Sequence, residues 1–143
     1  MARVVGLDIG ARRVGVAVSD NKGAMALPYA VLELSGGLDD IKALAAGVRE
    51  VVDDIGAGAV VVGLPLSMDG TEGPAAKGIK AVVSSLEEEL GLPVHLIDER
   101  LSTVQASRAL RERGISGASH KARLDSMAAA ILLQAWLDGG CTR

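Results

Sequence analysis

Two short runs of β-branched residues at the start of the chain constrain its fold more than any other feature. Residues 4–10 and 14–20 lie close together in sequence and predict a hairpin of buried strands. The first run contains a carboxylate, Asp8, with Gly6 and Gly10 on either side, where another backbone or a ligand can approach closely. Burying a carboxylate is costly unless a cation pairs with it. Asp8 is therefore either a buried structural acid or part of a site that holds a metal ion or a phosphate.

The remaining elements predict a mixed sheet. A third strand at residues 25–34 contains Pro28, which suits an edge strand. Residues 59–64 are apolar on both faces, as a covered central strand is. The other predicted elements are helices at 38–55, 74–90, 101–113 and 120–137, and a strand at 94–97. Three antiparallel strands followed by parallel strands with crossover helices give an α/β fold, a five-stranded sheet with helices on both faces, and this order resembles the ribonuclease H-like fold. We expect one domain at residues 1–138 and a flexible tail at residues 139–143.

The composition limits how this chain can recognise nucleic acid. It has no Phe, one Trp and one Tyr, so the aromatic side chains that stack on single-stranded bases are almost absent. The net charge is −3, but the charges are unevenly distributed. Residues 38–91 contain ten acids and four bases, whereas residues 100–124 contain six bases and one acid. Nucleic acid would therefore be bound through its phosphate backbone.

Cys141 is the single cysteine, which excludes an intramolecular disulfide and a cysteine-based zinc site. A bridge between two protomers under oxidising conditions is the remaining option for it. No signal-peptide pattern is present, and no apolar run approaches the roughly 20 residues that a membrane span needs. We expect a soluble, cytosolic protein.

Acidic residues from three elements are candidates for one site. Asp98 and Glu99 leave a strand at the end of the sheet where ligands gather in α/β folds, and strand alternation directs only one of them toward Asp8. Asp125 flanks the apolar stripe of the last helix, whose predicted inward residues are Leu124, Met127, Ala128, Ile131, Leu132 and Ala135. Three carboxylates can hold one or two Mg²⁺ or Mn²⁺ ions. The structural alternatives are that Asp98 pairs with Arg100 or caps a helix, and that Asp125 is a surface acid.

Four ordered motifs resemble the YqgF/RuvX family of Holliday-junction resolvases over nearly the full chain. They are the GLDIG sequence at 6–10 with residues 13–20, GLPL at 63–66 with the DG pair at 69–70, DERLST at 98–103, and DSMAA at 125–129. The resemblance implies a ribonuclease H-like nuclease whose metal-binding acids are Asp8, Glu99 and Asp125. It also implies a role in resolving junctions or in processing the 5′ end of pre-16S rRNA. Many ribonuclease H-like proteins carry an acid near the end of the fourth strand, whereas this chain has Gly63 there and its acids one strand later.

Polar side chains near these acids are candidates for binding a phosphate backbone. Each also has a structural alternative: Arg12 and Arg13 can pair with Asp8, Arg100 with Asp98, and a hydroxyl can cap a helix. We expect the loop at residues 65–73 to order on substrate. The full set of predicted nucleic-acid-binding residues is Arg12, Arg13, Arg100, Ser102, Thr103, Lys121 and Arg123.

Two other functions remain open from the sequence. Residues 8–15 also resemble the phosphate loop of the actin and sugar-kinase superfamily, but those enzymes close two lobes over ATP and 143 residues build only one. A non-catalytic nucleic-acid-binding ribosome-assembly factor would keep the fold, and the mild acidity and scarce aromatic residues predict weak binding. A resolvase that cuts two symmetric strands would act as a homodimer. The sequence shows no pattern that marks a dimer interface.

Overall fold

The computed structural model describes residues 2–101 and 118–139, and its five strands form one mixed sheet in the order β3-β2-β1-β4-β5. The strands are β1 (Arg3–Ile9), β2 (Arg13–Ser19), β3 (Ala26–Glu33), β4 (Ala57–Leu64) and β5 (Val94–Asp98). The first three are antiparallel neighbours, and β4 and β5 run parallel to β1. The predicted five-stranded sheet is confirmed, including its change from antiparallel to parallel pairing.

Helices cover both faces of the sheet. Helices α1 (Ile41–Ile55) and α2 (Pro74–Leu90) pack on one face around a large aliphatic core, and α3 (Ala118–Asp138) packs on the other around a smaller one. Helix α1 begins three residues later than predicted, because a 3₁₀ turn precedes it and the Asp40 side chain caps it by accepting a hydrogen bond from the amide of Ala43 at 3.1 Å. The predicted helix at residues 101–113 falls almost wholly outside the described residues.

The buried face of α3 differs from the predicted one. Ala128 and Leu132 are buried as expected, but Met127 is 45% exposed. Ala129 and Leu133 are buried in its place, because they pack on Gly6 of β1, where an added Cβ atom would lie 2.8 Å from Cβ of Leu133. The missing side chain on the strand therefore sets the rotation of the helix. The side chain of Leu124 lies outside the described part of the structure, and Ile131 and Ala135 are half-buried.

Strand β3 forms one edge of the sheet, as Pro28 indicated. A register shift in its pairing with β2 lies next to that proline. Gln134 of α3 covers the beginning of the strand, since its side-chain oxygen accepts a hydrogen bond from the amide of Ala26 at 2.8 Å and its nitrogen donates to the carbonyl of Ala24 at 3.0 Å. On the opposite edge, the ring of His95 stacks on Trp136 of α3 at a centroid distance of 5.3 Å, which gives this histidine a packing role. Within the described residues, no helix has the length and apolar character needed to cross a membrane.

Candidate active site

The three acids singled out in the sequence are all buried. Asp8, Glu99 and Asp125 are 2%, 1% and 7% exposed, and they are three of the four buried polar or charged residues in the described part of the chain. The fourth, Ser19, has a local role, because its hydroxyl accepts a hydrogen bond from the amide of Val4 at 2.8 Å. Carboxylates are rarely buried in proteins, so three of them on neighbouring elements mark a candidate site.

Asp8 lies between two glycines in a row that crosses the sheet. On one side, β1 pairs Asp8 with Gly15 of β2. On the other side, Leu7 pairs with Val62 of the parallel strand β4. One residue further along each strand, Asp8 therefore lies beside Gly63. Leu7 belongs to the core that faces α1 and α2, and strand alternation therefore directs Asp8 toward α3. The two glycines place no side chain on either side of Asp8, so residues from other elements can occupy that space.

Asp125 occupies the space over Gly15. A Cβ atom on Gly15 would lie 1.9 Å from the backbone carbonyl oxygen of Asp125, so α3 lies directly on β2 at this point. The carboxylate of Asp125 also forms an ion pair with Arg13, at 3.4 Å between Oδ2 and Nε. The backbone of Asp125 therefore lies over β2, the strand that pairs with the one that carries Asp8.

Glu99 occupies the space over Gly63. A Cβ atom on Gly63 would lie 2.9 Å from Oε1 and 3.1 Å from Cγ of Glu99. Glu99 follows β5 in a 3₁₀ turn, which returns its side chain across β4. The carboxylate therefore lies where a side chain from the fourth strand would otherwise be. This placement explains how an acid from the fifth strand reaches the site when the fourth strand carries glycine.

Asp98 has a different role from its neighbour Glu99. Its carboxylate accepts hydrogen bonds from Nε of Arg100, at 3.1 Å to each oxygen, and from Nη2 at 2.7 Å. These hydrogen bonds hold the pKa of Asp98 below its usual value, and they raise the pKa of Arg100. Asp98 therefore forms an ion pair with Arg100, which was the structural alternative predicted for it.

Arg100 also holds the loop at residues 65–73. Its Nη1 donates to the carbonyl of Met68 at 3.2 Å, and the loop closes on itself through hydrogen bonds from the amide of Ser67 to Thr71 and from Gly70 to Ser67. The loop is organised by these contacts, with Met68 84% exposed at its tip. Its further ordering on substrate stays a prediction.

The acids fit a divalent cation in donor chemistry. They offer only oxygen ligands, which Mg²⁺ and Mn²⁺ prefer, and they lie in adjacent positions on the α3 face of the sheet. In the described residues, however, no three side chains of His, Cys, Asp or Glu are close enough together to hold one metal ion. In this arrangement the three carboxylates do not form a complete set of ligands for one cation.

The structure describes some of the predicted nucleic-acid-binding residues but not others. Arg12 is exposed in the turn between β1 and β2, next to Arg13 at the start of β2. Lys121 and Arg123 lie on α3 before Asp125, but their side chains are not described, and Ser102 and Thr103 lie outside the described residues. The roles of Gly15 and Gly63 were not predicted from the sequence. Glycine inside a strand is the available signal for such a close approach.

Comparison with known proteins gives a family match and close relatives. The model of the RuvX family, described as Holliday junction resolvase, matches residues 2–139. A protein from Anaeromyxobacter sp. (strain Fw109-5) named "Putative pre-16S rRNA nuclease" is 43% identical over 96% of this chain and 97% of its own length. A protein of the same name from Myxococcus xanthus is also 43% identical, over 95% of this chain and 87% of its own length.

Solved structures give the same fold. Thermus thermophilus RuvC, in complex with a Holliday junction substrate, matches with a TM-score of 0.58 and 22% identity over 98% of this chain and 97% of that one. A second structure of Thermus thermophilus RuvC matches with a TM-score of 0.55 and 21% identity over 96% of each chain. At this level of identity the similarity establishes the fold, and the predicted ribonuclease H-like class is confirmed.

Proposed function

The chain belongs to the RuvX family of Holliday junction resolvases, a family of nucleases, and we propose on this premise that it is a metal-dependent endonuclease acting on structured nucleic acid. Its catalytic acids are Asp8, Glu99 and Asp125. The observation that carries the proposal is the row of buried positions in which Asp8 lies between two glycines, with Asp125 over one and Glu99 over the other.

The residues of the site have separable tasks. Asp8, Glu99 and Asp125 would hold Mg²⁺ or Mn²⁺, and a pair of such ions activates a water molecule and stabilises the leaving oxygen of a phosphodiester. Arg13 positions the carboxylate of Asp125 through their ion pair. Arg12, exposed in the same turn, binds a backbone phosphate beside the acids. Arg100 is held by Asp98 and fixes the neighbouring loop.

The substrate in this proposal is the 5′ end of the pre-16S rRNA, a four-way DNA junction, or both. The curated relatives are named for the RNA precursor, and the family is described by the junction. Phosphate contacts carry no sequence information, and the scarcity of aromatic side chains favours recognition of backbone and shape. Both substrates are therefore tested together.

The test compares cleavage of a labelled four-way junction and a labelled pre-16S rRNA fragment, with Mg²⁺ or Mn²⁺, by wild type and Asp8→Asn. We expect the wild type to cut at least one substrate, and Asp8→Asn to be slower by about 100-fold or more while the protein remains folded. Asp54→Asn, an exposed change of the same kind on α1, is the matched control and should cut at the wild-type rate.

Other results would favour another function. Binding of either substrate without cleavage, equal in wild type and Asp8→Asn, would identify a non-catalytic assembly factor. Saturable binding of ATP by the wild type, without cleavage, would identify a nucleotide-binding lobe. Cleavage that persists at the wild-type rate in Asp8→Asn or in the presence of a chelator would contradict the metal-dependent mechanism.

A further inference from the structure

The ends of β4 and β5 lie side by side at the end of the sheet where the three acids are buried. Leu64 pairs with Asp98, and each is the last residue of its strand. The chain after β4 enters the loop at residues 65–73, and the chain after β5 enters the 3₁₀ turn at Glu99–Leu101. The loop and the turn therefore leave the sheet from neighbouring positions, where a side chain on one can hold the other.

Asp98 determines how the 3₁₀ turn begins. Its Oδ1 accepts a hydrogen bond from the backbone amide of Arg100 at 2.9 Å. A turn of three residues has few hydrogen bonds of its own to fix its path, so this contact holds the backbone on both sides of Glu99. The turn returns the Glu99 carboxylate over Gly63, where an added Cβ atom would lie 2.9 Å from Oε1. Asp98 thus acts on the placement of Glu99 through the backbone that joins them.

Arg100 joins the turn to the loop. Its guanidinium donates to both carboxylate oxygens of Asp98, and its Nη1 also donates to the carbonyl of Met68 at 3.2 Å. A Cβ atom on Gly70 would lie 3.4 Å from Nη1 and from Nη2, so the guanidinium packs against the loop backbone at a residue whose φ is +87°. Glycine at this position allows both the turn and the contact.

Hydrogen bonds within the loop make it a compact unit. Oδ1 of Asp69 accepts from the amide of Thr71 at 3.0 Å and from its hydroxyl at 2.6 Å. The amide of Ser67 donates to the carbonyl of Thr71 at 2.9 Å, and the amide of Gly70 donates to the carbonyl of Ser67 at 2.8 Å. A displacement of this unit would therefore displace Arg100 and the turn after β5.

We propose that Asp98 and Arg100 are positioning residues that couple the loop at residues 65–73 to Glu99. Asp98 holds the turn that places the Glu99 carboxylate, and Arg100 makes the order of the loop depend on that turn. Binding of a divalent cation by Glu99 then orders the loop, and by thermodynamic linkage an ordered loop strengthens cation binding by the same factor. The proposal rests on the proposed nuclease function in one respect, which is that Glu99 is a metal ligand.

The test measures Mn²⁺ affinity by electron paramagnetic resonance and amide exchange in the loop by NMR, with and without Mg²⁺, in the absence of nucleic acid. We expect Asp98→Ala to lose about tenfold or more in Mn²⁺ affinity, because it no longer orients a metal ligand. Asp98→Asn keeps an oxygen that accepts from the Arg100 amide, and it should restore most of that affinity. In the wild type, Mg²⁺ should slow the exchange of the amides of Ser67, Gly70 and Thr71.

Arg100→Ala tests the other half of the coupling. The backbone amide and its hydrogen bond to Asp98 remain, so the turn is kept while the loop loses its contact with it. We expect the loop amides to exchange about tenfold or more faster, and Mg²⁺ should no longer slow them. Asp20→Ala is the matched control, because Asp20 also accepts backbone amides in a turn, from Ala24 and Met25 at the opposite end of the sheet. It should change neither Mn²⁺ affinity nor loop exchange.

Three results would overturn the proposal. They are wild-type Mn²⁺ affinity in a folded Asp98→Ala, an Asp98→Asn that binds Mn²⁺ as weakly as Asp98→Ala, and loop exchange in the wild type that Mg²⁺ does not change. If urea denaturation shows that Asp98→Ala does not fold, Asp98→Asn and Arg100→Ala decide the outcome. Failure of the proposed function has a different signature, since Mn²⁺ would then bind the wild type and Asp8→Asn equally.

Discussion

At the scale of single residues, the absence of a side chain at Gly63 leaves the space in which the Glu99 carboxylate lies. A methyl group there would lie 2.6 Å from Cδ1 of Leu132 and 2.9 Å from Oε1 of Glu99. The flexible end of Leu132 can move aside, but the Glu99 carboxylate can do so only by leaving its place over Gly63. In the proposed metal site, Gly63 would thus be a positioning residue that acts through Glu99.

Gly63→Ala should therefore weaken metal binding and cleavage more than it weakens folding. We expect Mn²⁺ affinity and the cleavage rate each to fall about tenfold or more, with a loss of about 1–3 kcal/mol in the free energy of unfolding. The measurements are a Mn²⁺ titration, cleavage kinetics and urea unfolding. Gly58→Ala, on the same strand, is the control because its new methyl group meets only the side chain of Ala2 near the N-terminus. Unchanged Mn²⁺ affinity in Gly63→Ala would show that Glu99 does not depend on this gap.

The sequence could single out three acids that the structure buries, but not where their side chains lie. Asp8 was visible as a carboxylate inside an apolar strand, and the family motifs selected Glu99 and Asp125. The path of the Glu99 side chain depends on a 3₁₀ turn after β5, which no hydrophobic period reveals. The ion pair between Arg13 and Asp125 joins residues at opposite ends of the chain, so their spacing in sequence carries no information about it.

At the scale of elements, α3 is docked on the sheet by glycines in the first two strands. Gly6 receives Leu133 and the carbonyl of Ala129, and Gly15 receives the backbone of Asp125. The predicted strands and helices were largely correct, because their apolar periods of two and 3.6 residues are clear in the sequence. The predicted inward face of α3 was partly wrong. An alanine-rich helix differs little in hydrophobicity between its sides, so the strand glycines determine which side packs on the sheet.

Gly15→Ala should consequently destabilise the whole chain. The new methyl group would lie 1.9 Å from a backbone oxygen that cannot rotate away, so α3 must shift. We expect a loss near or above 3 kcal/mol in the free energy of unfolding, the upper end for overpacking, measured by urea denaturation. Gly78→Ala, a glycine replacement into open space, should instead stabilise the chain by up to about 1 kcal/mol. If Gly15→Ala unfolds at the same urea concentration as the wild type, α3 does not lie on β2 at this position.

At the scale of the whole molecule, charge is divided between the parts of the fold. Residues 38–91, which include α1 and α2, have six more acids than bases, whereas Arg12 and Arg13 lie at the end of the sheet where the three candidate acids are buried. The net charge of −3 conceals this division. We therefore expect a nucleic acid to bind at the end of the sheet that carries Arg12 rather than at the other end, where the acids in the last turns of α1 and α2 lie.

Two exposed cations at opposite ends of the sheet test this division directly. Arg12 follows β1 at the end that bears the acids, and Lys22 lies in the turn between β2 and β3 at the other end. Arg12→Ala should weaken binding of a four-way junction or the RNA precursor and reduce the slope of log Kd against log salt concentration by about 1, because one phosphate contact is lost. Its backbone carbonyl still accepts the hydrogen bond from the amide of Leu34, so the turn is retained.

Lys22→Ala removes the same charge and should leave both affinity and slope unchanged. Binding is measured by fluorescence anisotropy in EDTA, where no cleavage occurs. Equal losses in the two variants would mean that nucleic acid responds only to total charge and does not dock at the acidic site.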